Sequence, residues 1–188
     1  MESNTMSAVA GVQPVAERSR PLIVTLEVDD AAQARFDTER AALFPAGRTV
    51  IGAHVTLFHA LPAVAEAAVT GELAASASAR EPFQVEVAEL MSLGRGVAYR
   101  LRSAELLDLH RRLQASWWDR LTPQDRQGFR PHVTVQNKVS PERARRTLEQ
   151  LHEEFVPFSM TARAVRLWRY EGGPWSPRER FPLDSPAG

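Results

Sequence analysis

The chain has 188 residues, of which 44% are hydrophobic and 24% charged, with a formal net charge of zero and no cysteine. The balanced charge argues against a long binding surface for duplex DNA. The lack of cysteine excludes disulfides, thiol nucleophiles and cysteine-based zinc sites. No segment approaches the roughly 18 consecutive apolar residues of a membrane-spanning helix, so no membrane partner is expected. The lack of cysteine is compatible with the reducing cytoplasm, and we expect a cytoplasmic monomer.

Residues 21–183 are expected to form a single domain, because a segment of this length can bury a sizeable core. Residues 1–20 lack the apolar stretch of a signal peptide and are interpreted as a disordered tail. Residues 184–188 are interpreted as a second, short tail.

The hydrophobic pattern predicts the same five elements twice along this domain. In the first half they are a strand at 22–28, a helix at 30–43, a strand at 51–58, a helix from 62 to about 80 and a strand at 83–91. In the second half they are a strand at 97–101, a helix from 103 to about 121, a strand at 129–135, a helix at 141–155 and a strand at 160–170, followed by a short return segment at 178–183.

This repetition, with a period of 78 residues, is typical of a duplicated half-domain. We therefore predict an α+β fold in which two pseudo-symmetric antiparallel-sheet lobes, with repeats at about 21–95 and 96–183, surround a central cleft. The helices are expected to cover the outer faces.

The tripeptide His-Val-Thr occurs in the third element of both repeats, as His54-Val55-Thr56 and as His132-Val133-Thr134. From the composition, chance gives about 0.3 occurrences of His-x-Thr in this chain. Residues i and i+2 of a strand share one face, so each histidine is expected to lie beside its threonine, with the valine facing the core. Pseudo-symmetry would bring both pairs into one cleft.

Two imidazoles in one cleft are suited to acid-base catalysis. With an unperturbed pKa of about 6.5, one can accept a proton from an attacking oxygen while the other donates a proton to the leaving oxygen. The hydroxyl groups of Thr56 and Thr134 can donate hydrogen bonds to non-bridging phosphate oxygens. The pattern favours in-line displacement at phosphorus, with His54 and His132 as catalytic residues and no metal or other cofactor.

Purely structural and zinc-binding roles of the two motifs are less favoured. A single His-x-Thr in a strand is usually structural, but two copies in matching positions favour function. A zinc site that uses both histidines would lack the neighbouring carboxylate or thiolate ligands that complete such sites.

Further residues are candidates for substrate contacts. Arg130 shares a strand face with His132 and is the arginine that we favour for binding phosphate. Residues 160–181 carry a net charge of +3 together with Trp168, Tyr170 and Trp175. This segment is suited to stacking a base, but a charge-protected edge strand explains it equally well. Phe58 could also stack a base, although a core position is its more common role.

The three remaining histidines are expected to have ordinary roles. His59 has the opposite strand parity from His54 and is expected at the end of the strand. His110 and His152 fall within helices, beside charged residues, and are expected on solvated surfaces.

The paired motifs, continued as His54-Val55-Thr56-Leu57 and His132-Val133-Thr134-Val135, resemble those of the two-histidine (2H) phosphoesterase superfamily. This superfamily includes bacterial 2′-5′ RNA ligase-like proteins and cyclic phosphodiesterases. The lead-in Phe129-Arg130-Pro131 is similar to the one common before its second motif. The resemblance covers about residues 20 to 183.

The resemblance implies a metal-free hydrolase that converts a 2′,3′-cyclic phosphate, on a small nucleotide or an RNA 3′ end, into a 2′-phosphate, a reaction of RNA processing. It equally implies an alternative as a 2′-5′ RNA ligase or 2′-5′ phosphodiesterase. A binding module that holds nucleotides or RNA ends without catalysis is a third alternative. Ala53 before the first motif and Gln136-Asn137-Lys138 after the second depart from the family pattern, and they favour hydrolysis over ligation.

Overall fold

The computed structural model describes residues 20–45, 47 and 51–184. The predicted tails lie almost entirely outside the described residues, which include only Arg20 of the first and Asp184 of the second. In the described part of the chain, no helix is both long enough and apolar enough to cross a membrane.

Strands and helices follow the predicted order through both repeats. The bounds are β1 Leu22–Val28, α1 Asp30–Leu43, β2 Val55–Leu61, α2 Glu66–Ser78, β3 Phe83–Ser92, β4 Val97–Arg102, α3 Ala104–Trp117, β5 His132–Gln136, α4 Pro141–Glu154, β6 Phe158–Tyr170 and β7 Trp175–Pro182. Single turns of 3-10 helix precede α2 (Ala63–Ala65) and follow α3 (Trp118–Arg120).

Local capping fixes the starts of three helices. The side chains of Asp29, Ser103 and Ser140 accept hydrogen bonds from backbone amides in the first turns of α1, α3 and α4. Each bond satisfies an amide that has no partner within the helix. These starts agree with the sequence-based predictions.

The two motif strands begin later than predicted, at Val55 instead of residue 51 and at His132 instead of residue 129. Leu26 of β1 pairs with Val55, and Arg100 of β4 pairs with His132. Pro131, directly before the second motif, accepts a hydrogen bond from the amide of Leu101 but has no N–H group to donate to β4. Both motif histidines therefore lie where their strands start.

All seven strands of the described chain pair antiparallel in one sheet. The strand order is β2-β1-β6-β3-β4-β5, and β7 also pairs with β6. One edge of the long strand β6 pairs with β1, while its other edge pairs first with β3 and then with β7. The two lobes are thus β2-β1-β6-β7 and β3-β4-β5 with the start of β6. The strand β3, from the first sequence repeat, therefore lies in the second lobe, and most of β6, from the second repeat, lies in the first lobe.

The motif strands β2 and β5 are the two ends of this strand order, and they contact each other. The sheet is therefore curled like a half-barrel. Helix α1 packs against β5, α2 against β6 and β7, and α4 against β3 and β4. The predicted α+β fold with two antiparallel lobes is confirmed.

A glycine fixes the close approach of β4 to β5. A Cβ atom on Gly96 would lie 2.0 Å from the backbone oxygen of Gln136. Gly96 ends the turn between β3 and β4, so only glycine permits the end of the second motif strand to pack against this turn.

Candidate active site at the repeated motifs

The side chains of the two motifs alternate as predicted for strands. Val55, Leu57, Val133 and Val135 are buried in the core, whereas His54, Thr56, His132 and Thr134 are half-buried on the other face. Burial of the valines and Leu57 anchors both strands. This anchoring fixes the face on which the polar side chains lie.

Each motif histidine lines a cavity together with the threonine of the other motif. His54 and Thr134 line a cavity of about 400 Å³, and His132 and Thr56 line another of about 320 Å³. This crossed arrangement follows from the contact between β2 and β5. Residues 78 positions apart in the sequence are thereby brought to one region.

Both imidazoles are held by the same local contact. The Nδ1 atom of His54 lies 2.8 Å from the backbone oxygen of Gly52, and Nδ1 of His132 lies 2.8 Å from that of Arg130. A carbonyl oxygen only accepts hydrogen bonds, so Nδ1 must carry the proton in each ring. In the neutral imidazole, Nε2 is therefore the free acceptor, and in the protonated imidazole it is a donor.

The electrostatic surroundings favour the neutral form of His54. Burial lowers the pKa of His54, and the nearby charges of Arg40 and His132 lower it further, against a smaller opposing effect of the bond to Gly52. A neutral imidazole with a free Nε2 is able to act as a general base near pH 7.

Arg40 of α1 was not identified from the sequence and joins the two motif segments. Its Nε donates to the backbone oxygen of Ile51 at 3.1 Å, and its Nη1 donates to that of Thr134 at 2.7 Å. The side chain is buried and also lines the cavity of His54 and Thr134. Its position four residues after the buried Phe36, on the apolar face of α1, was the available signal.

The prediction that His110 lies on a solvated surface is wrong. His110 is 4% exposed, and its ring stacks between Phe58 and Phe129. Its Nε2 donates to the backbone oxygen of Leu57 at 3.1 Å. This hydrogen bond links α3 to β2. The spacing i+4 from Leu106 places His110 on the apolar face of α3, and this spacing outweighs the charged neighbours.

Of the two roles considered for Phe58, the structure shows the favoured core position and contradicts the role of a substrate platform. Its side chain is fully buried against His110 and Trp117. It is therefore not available to stack a base. His152, by contrast, is exposed on α4, as expected.

Burial of His110 predicts an acid-dependent loss of stability. Burial lowers the pKa of His110 to about 4, so between pH 6.5 and 4 the unfolded chain binds a proton that the folded chain does not. The stability is then complete above pH 6.5 and falls as the pH decreases, by about 2 kcal/mol between pH 7 and pH 4.5.

Urea unfolding of the wild type and of His110→Gln at both pH values measures this effect. The variant is expected to be less stable at pH 7 but to lose about 2 kcal/mol less on acidification. The exposed His152→Gln is the control. An unchanged pH dependence in His110→Gln would contradict the assignment.

The aromatic candidates of β6 and β7 lie beside His54. Trp168 and Trp175 line a cavity of about 410 Å³ together with His54, and the ring centroids of Trp175 and His54 are 4.8 Å apart. Tyr170 lines the cavity of His54 and Thr134. Arg130 is exposed and lines the cavity of His132 and Thr56.

Most arginines of residues 160–181 form ion pairs with two glutamates. Arg166 and Arg180 pair with Glu27, while Arg169 and Arg178 pair with Glu66. Arg178 and Arg180 lie on the edge strand β7, as expected for a charge-protected edge, whereas Arg166 and Arg169 lie on β6, which is paired on both edges. Arg166 also lines the cavity of His54 together with Trp168 and Trp175.

Potential metal ligands are not grouped in the described residues. No set of three or more His, Cys, Asp or Glu side chains there is placed to hold a metal ion.

The curled sheet with two paired His-x-Thr motifs defines a member of the 2H phosphoesterase superfamily. Residues 28–174 match the family described as the 2′-5′ RNA ligase superfamily. The chain belongs to this family. No curated protein matches it significantly.

Solved structures with low sequence identity share the fold. The structure of TT0787 of Thermus thermophilus has a TM-score of 0.65 at 15% identity and covers 89% of this chain and 100% of its own. A structure described as a phosphoesterase has a TM-score of 0.60 at 20% identity, over 88% and 99% of the two chains. Escherichia coli LigT complexed with 3′-AMP has a TM-score of 0.57 at 19% identity, over 88% and 99%.

Proposed function

We propose that this protein is a metal-independent phosphoesterase that hydrolyses a 2′,3′-cyclic phosphate, on a nucleotide or an RNA 3′ end, to a 2′-phosphate. The observation that carries the proposal is the matched pair of imidazoles. Each is held through Nδ1 by the carbonyl two residues earlier, and each shares a cavity with the threonine of the opposite motif.

The mechanism assigns opposite protonation states to the two rings. Neutral His54 takes a proton from a water molecule through Nε2 as the water oxygen attacks phosphorus. Protonated His132 gives the Nε2 proton to O3′ as the bond between phosphorus and O3′ breaks. The products are a 2′-phosphate and a 3′-hydroxyl, and each proton transfer contributes about 10²- to 10⁴-fold to the rate.

Three neutral or cationic side chains would bind the phosphate. Thr56 and Thr134 donate to its non-bridging oxygens, where negative charge increases in the transition state. Arg130 supplies a charge-assisted hydrogen bond from the side of His132. Small-nucleotide binding is further supported by two complexes of the fold relative LigT, with 3′-AMP and with ATP.

Incubation with adenosine 2′,3′-cyclic phosphate tests the proposal. Chromatography is expected to show adenosine 2′-phosphate as the product, at a rate unchanged by EDTA. Binding without any product would support the alternative of a binding module. Formation of the 3′-phosphate, or inactivation by EDTA with recovery on metal addition, would contradict the mechanism.

The family description favours a second candidate, the joining of RNA ends through a 2′-5′ bond. The same two imidazoles would act in the reverse direction on a cyclic-phosphate end and a 5′-hydroxyl end, without ATP. Gel analysis of these two RNAs tests it. A ligated product without hydrolysis would assign the chain to ligation.

The rate is expected to depend on pH, with an acid limb below that of an ordinary imidazole. Because burial lowers the pKa of His54, the base takes up a proton only at a lower pH than a free imidazole does. The rate should therefore begin to fall only at a lower pH than for a free imidazole, and loss of the acid proton should reduce it at high pH. A profile of kcat/KM from pH 4 to 9 measures both limbs. A rate that does not fall at low pH, or one that does not fall at high pH, would contradict paired acid-base catalysis.

A further inference from the structure

A bulge in β2 changes the face on which His59 lies. Val24 pairs with Phe58 and Thr25 with Thr56, so one step along β1 corresponds to two along β2. Leu57 and Phe58 are consequently both buried, and the alternation shifts by one residue. His59 thus lines the same cavity as Thr56, and its predicted opposite parity is wrong.

A buried carboxylate fixes the ring of His59. Oδ1 of Asp125 lies 2.9 Å from Nδ1 of His59, and the carboxylate also accepts from the backbone amides of His59 and Ala60. Asp125 is 5% exposed. Burial raises the pKa of Asp125, but its hydrogen bonds with His59 and Ala60 outweigh this effect and keep the pKa below its ordinary value.

The contact with Asp125 determines which nitrogen of His59 is free. An ionised carboxylate only accepts, so Nδ1 of His59 carries a proton and Nε2 is left for other contacts. The side chain of His59 is 45% exposed. It is therefore oriented by a buried partner and accessible from the cavity at the same time.

The cavity around His59 is rich in groups that bind anions. Thr56, Arg130 and His132 line it, with Gln124 and Gln127 at its edge. Its one carboxylate, Asp125, is occupied by His59 and by the two backbone amides. The groups that remain for a ligand are cationic or neutral donors, which suit a phosphate.

His59 lies further along β2 than Thr56. It is three positions after Thr56, which corresponds to roughly 7 to 10 Å along a bulged strand. This backbone separation exceeds the length of a hydrogen bond. It favours a contact of His59 with a part of the substrate beyond the phosphate that Thr56 binds.

We propose that His59 binds a second phosphate of the substrate, on the 5′ side of the nucleotide that carries the cyclic phosphate, and that Asp125 positions His59 for this contact. The inference rests on the proposed function, because it takes the reacting phosphate to lie between His54 and His132. The second phosphate is a terminal monoester in a free nucleotide and a diester in an RNA strand.

Calorimetric binding of product analogues tests the subsite without any turnover. The ligands are adenosine 2′-phosphate, adenosine 2′,5′-bisphosphate and the dinucleotide ApA with a terminal 2′-phosphate. We expect the wild type to bind at least one of the two longer ligands about tenfold more tightly than the monophosphate. A gain with the bisphosphate alone identifies a nucleotide monoester, and a gain with the dinucleotide identifies an RNA strand.

The variant His59→Gln is expected to reduce this tenfold preference to about twofold or less, whereas His152→Gln retains it. Asp125→Asn is expected to lose the preference as well if it folds, since the fixed orientation of His59 is lost. Equal affinities of the wild type for all three ligands, or a full preference in His59→Gln, would overturn the proposal. So would absence of binding at millimolar concentration.

The outcome is separable from that of the proposed function. Hydrolysis of adenosine 2′,3′-cyclic phosphate without a preference for a second phosphate would overturn only the subsite. A preference that depends on His59 in a protein without turnover would leave the subsite and overturn the catalytic proposal.

Discussion

Replacement of His54 or His132 by alanine is expected to lower kcat for adenosine 2′,3′-cyclic phosphate by about 10²- to 10⁴-fold in each variant. Each substitution removes one of the two proton transfers while the threonines and Arg130 remain. The double variant is expected to be much less impaired than the product of the two single effects, because the rings act as a unit. Steady-state product formation measures all three losses.

The control for this experiment is His152→Ala, which removes an exposed histidine of α4. Both catalytic variants should fold, because each ring is only half-buried and its side-chain hydrogen bond reaches a carbonyl two residues away. Circular dichroism and thermal unfolding check this. A folded His54→Ala or His132→Ala variant that keeps its kcat within about threefold of wild type would end the two-histidine mechanism.

Replacement of Asp125 by alanine is expected to lower the free energy of unfolding by about 3 to 5 kcal/mol. The carboxylate accepts from the backbone amides of His59 and Ala60 and from the His59 ring, and it is almost fully buried. Its removal leaves two edge amides of β2 without a partner, and each unsatisfied buried amide costs about 1 to 3 kcal/mol.

Urea unfolding at pH 7 measures the loss, and Asp119→Ala, at an exposed aspartate, is the matched control with an expected change within about 0.5 kcal/mol. If the variant folds, kcat should also fall, because the segment that leads into the second motif is held to the first motif strand by Asp125. A loss of less than about 1 kcal/mol would show that this contact does not hold β2.

Sequence patterns predicted the parts of the fold that local chemistry determines. Asp29, Ser103 and Ser140 cap helices at the expected positions, and the alternation around Val55 and Val133 places the motif side chains on one face. The repetition of the motif predicted the duplicated arrangement of strands and helices. These signals depend on neighbouring residues, so one sequence was sufficient.

Features that depend on distant segments were not predictable in the same way. The exchange of β3 and β6 between lobes depends on strand pairing. The exposure of His59 depends on a bulge that becomes evident only against β1. Arg40 and His110 occupy apolar helix faces at regular spacing. Their burial was not predicted because both side chains are polar, and the strand carbonyls that accept their hydrogen bonds lie far away in the sequence.

A crystal structure of the wild-type protein with bound adenosine 2′-phosphate would show whether one phosphate lies between the two motifs. We expect Nε2 of His54 and Nε2 of His132 both to lie within about 3.2 Å of oxygens of the same phosphate, with Thr56 and Thr134 at its other oxygens. A phosphate that reaches only one imidazole, or that binds away from both motifs, would contradict the two-histidine mechanism.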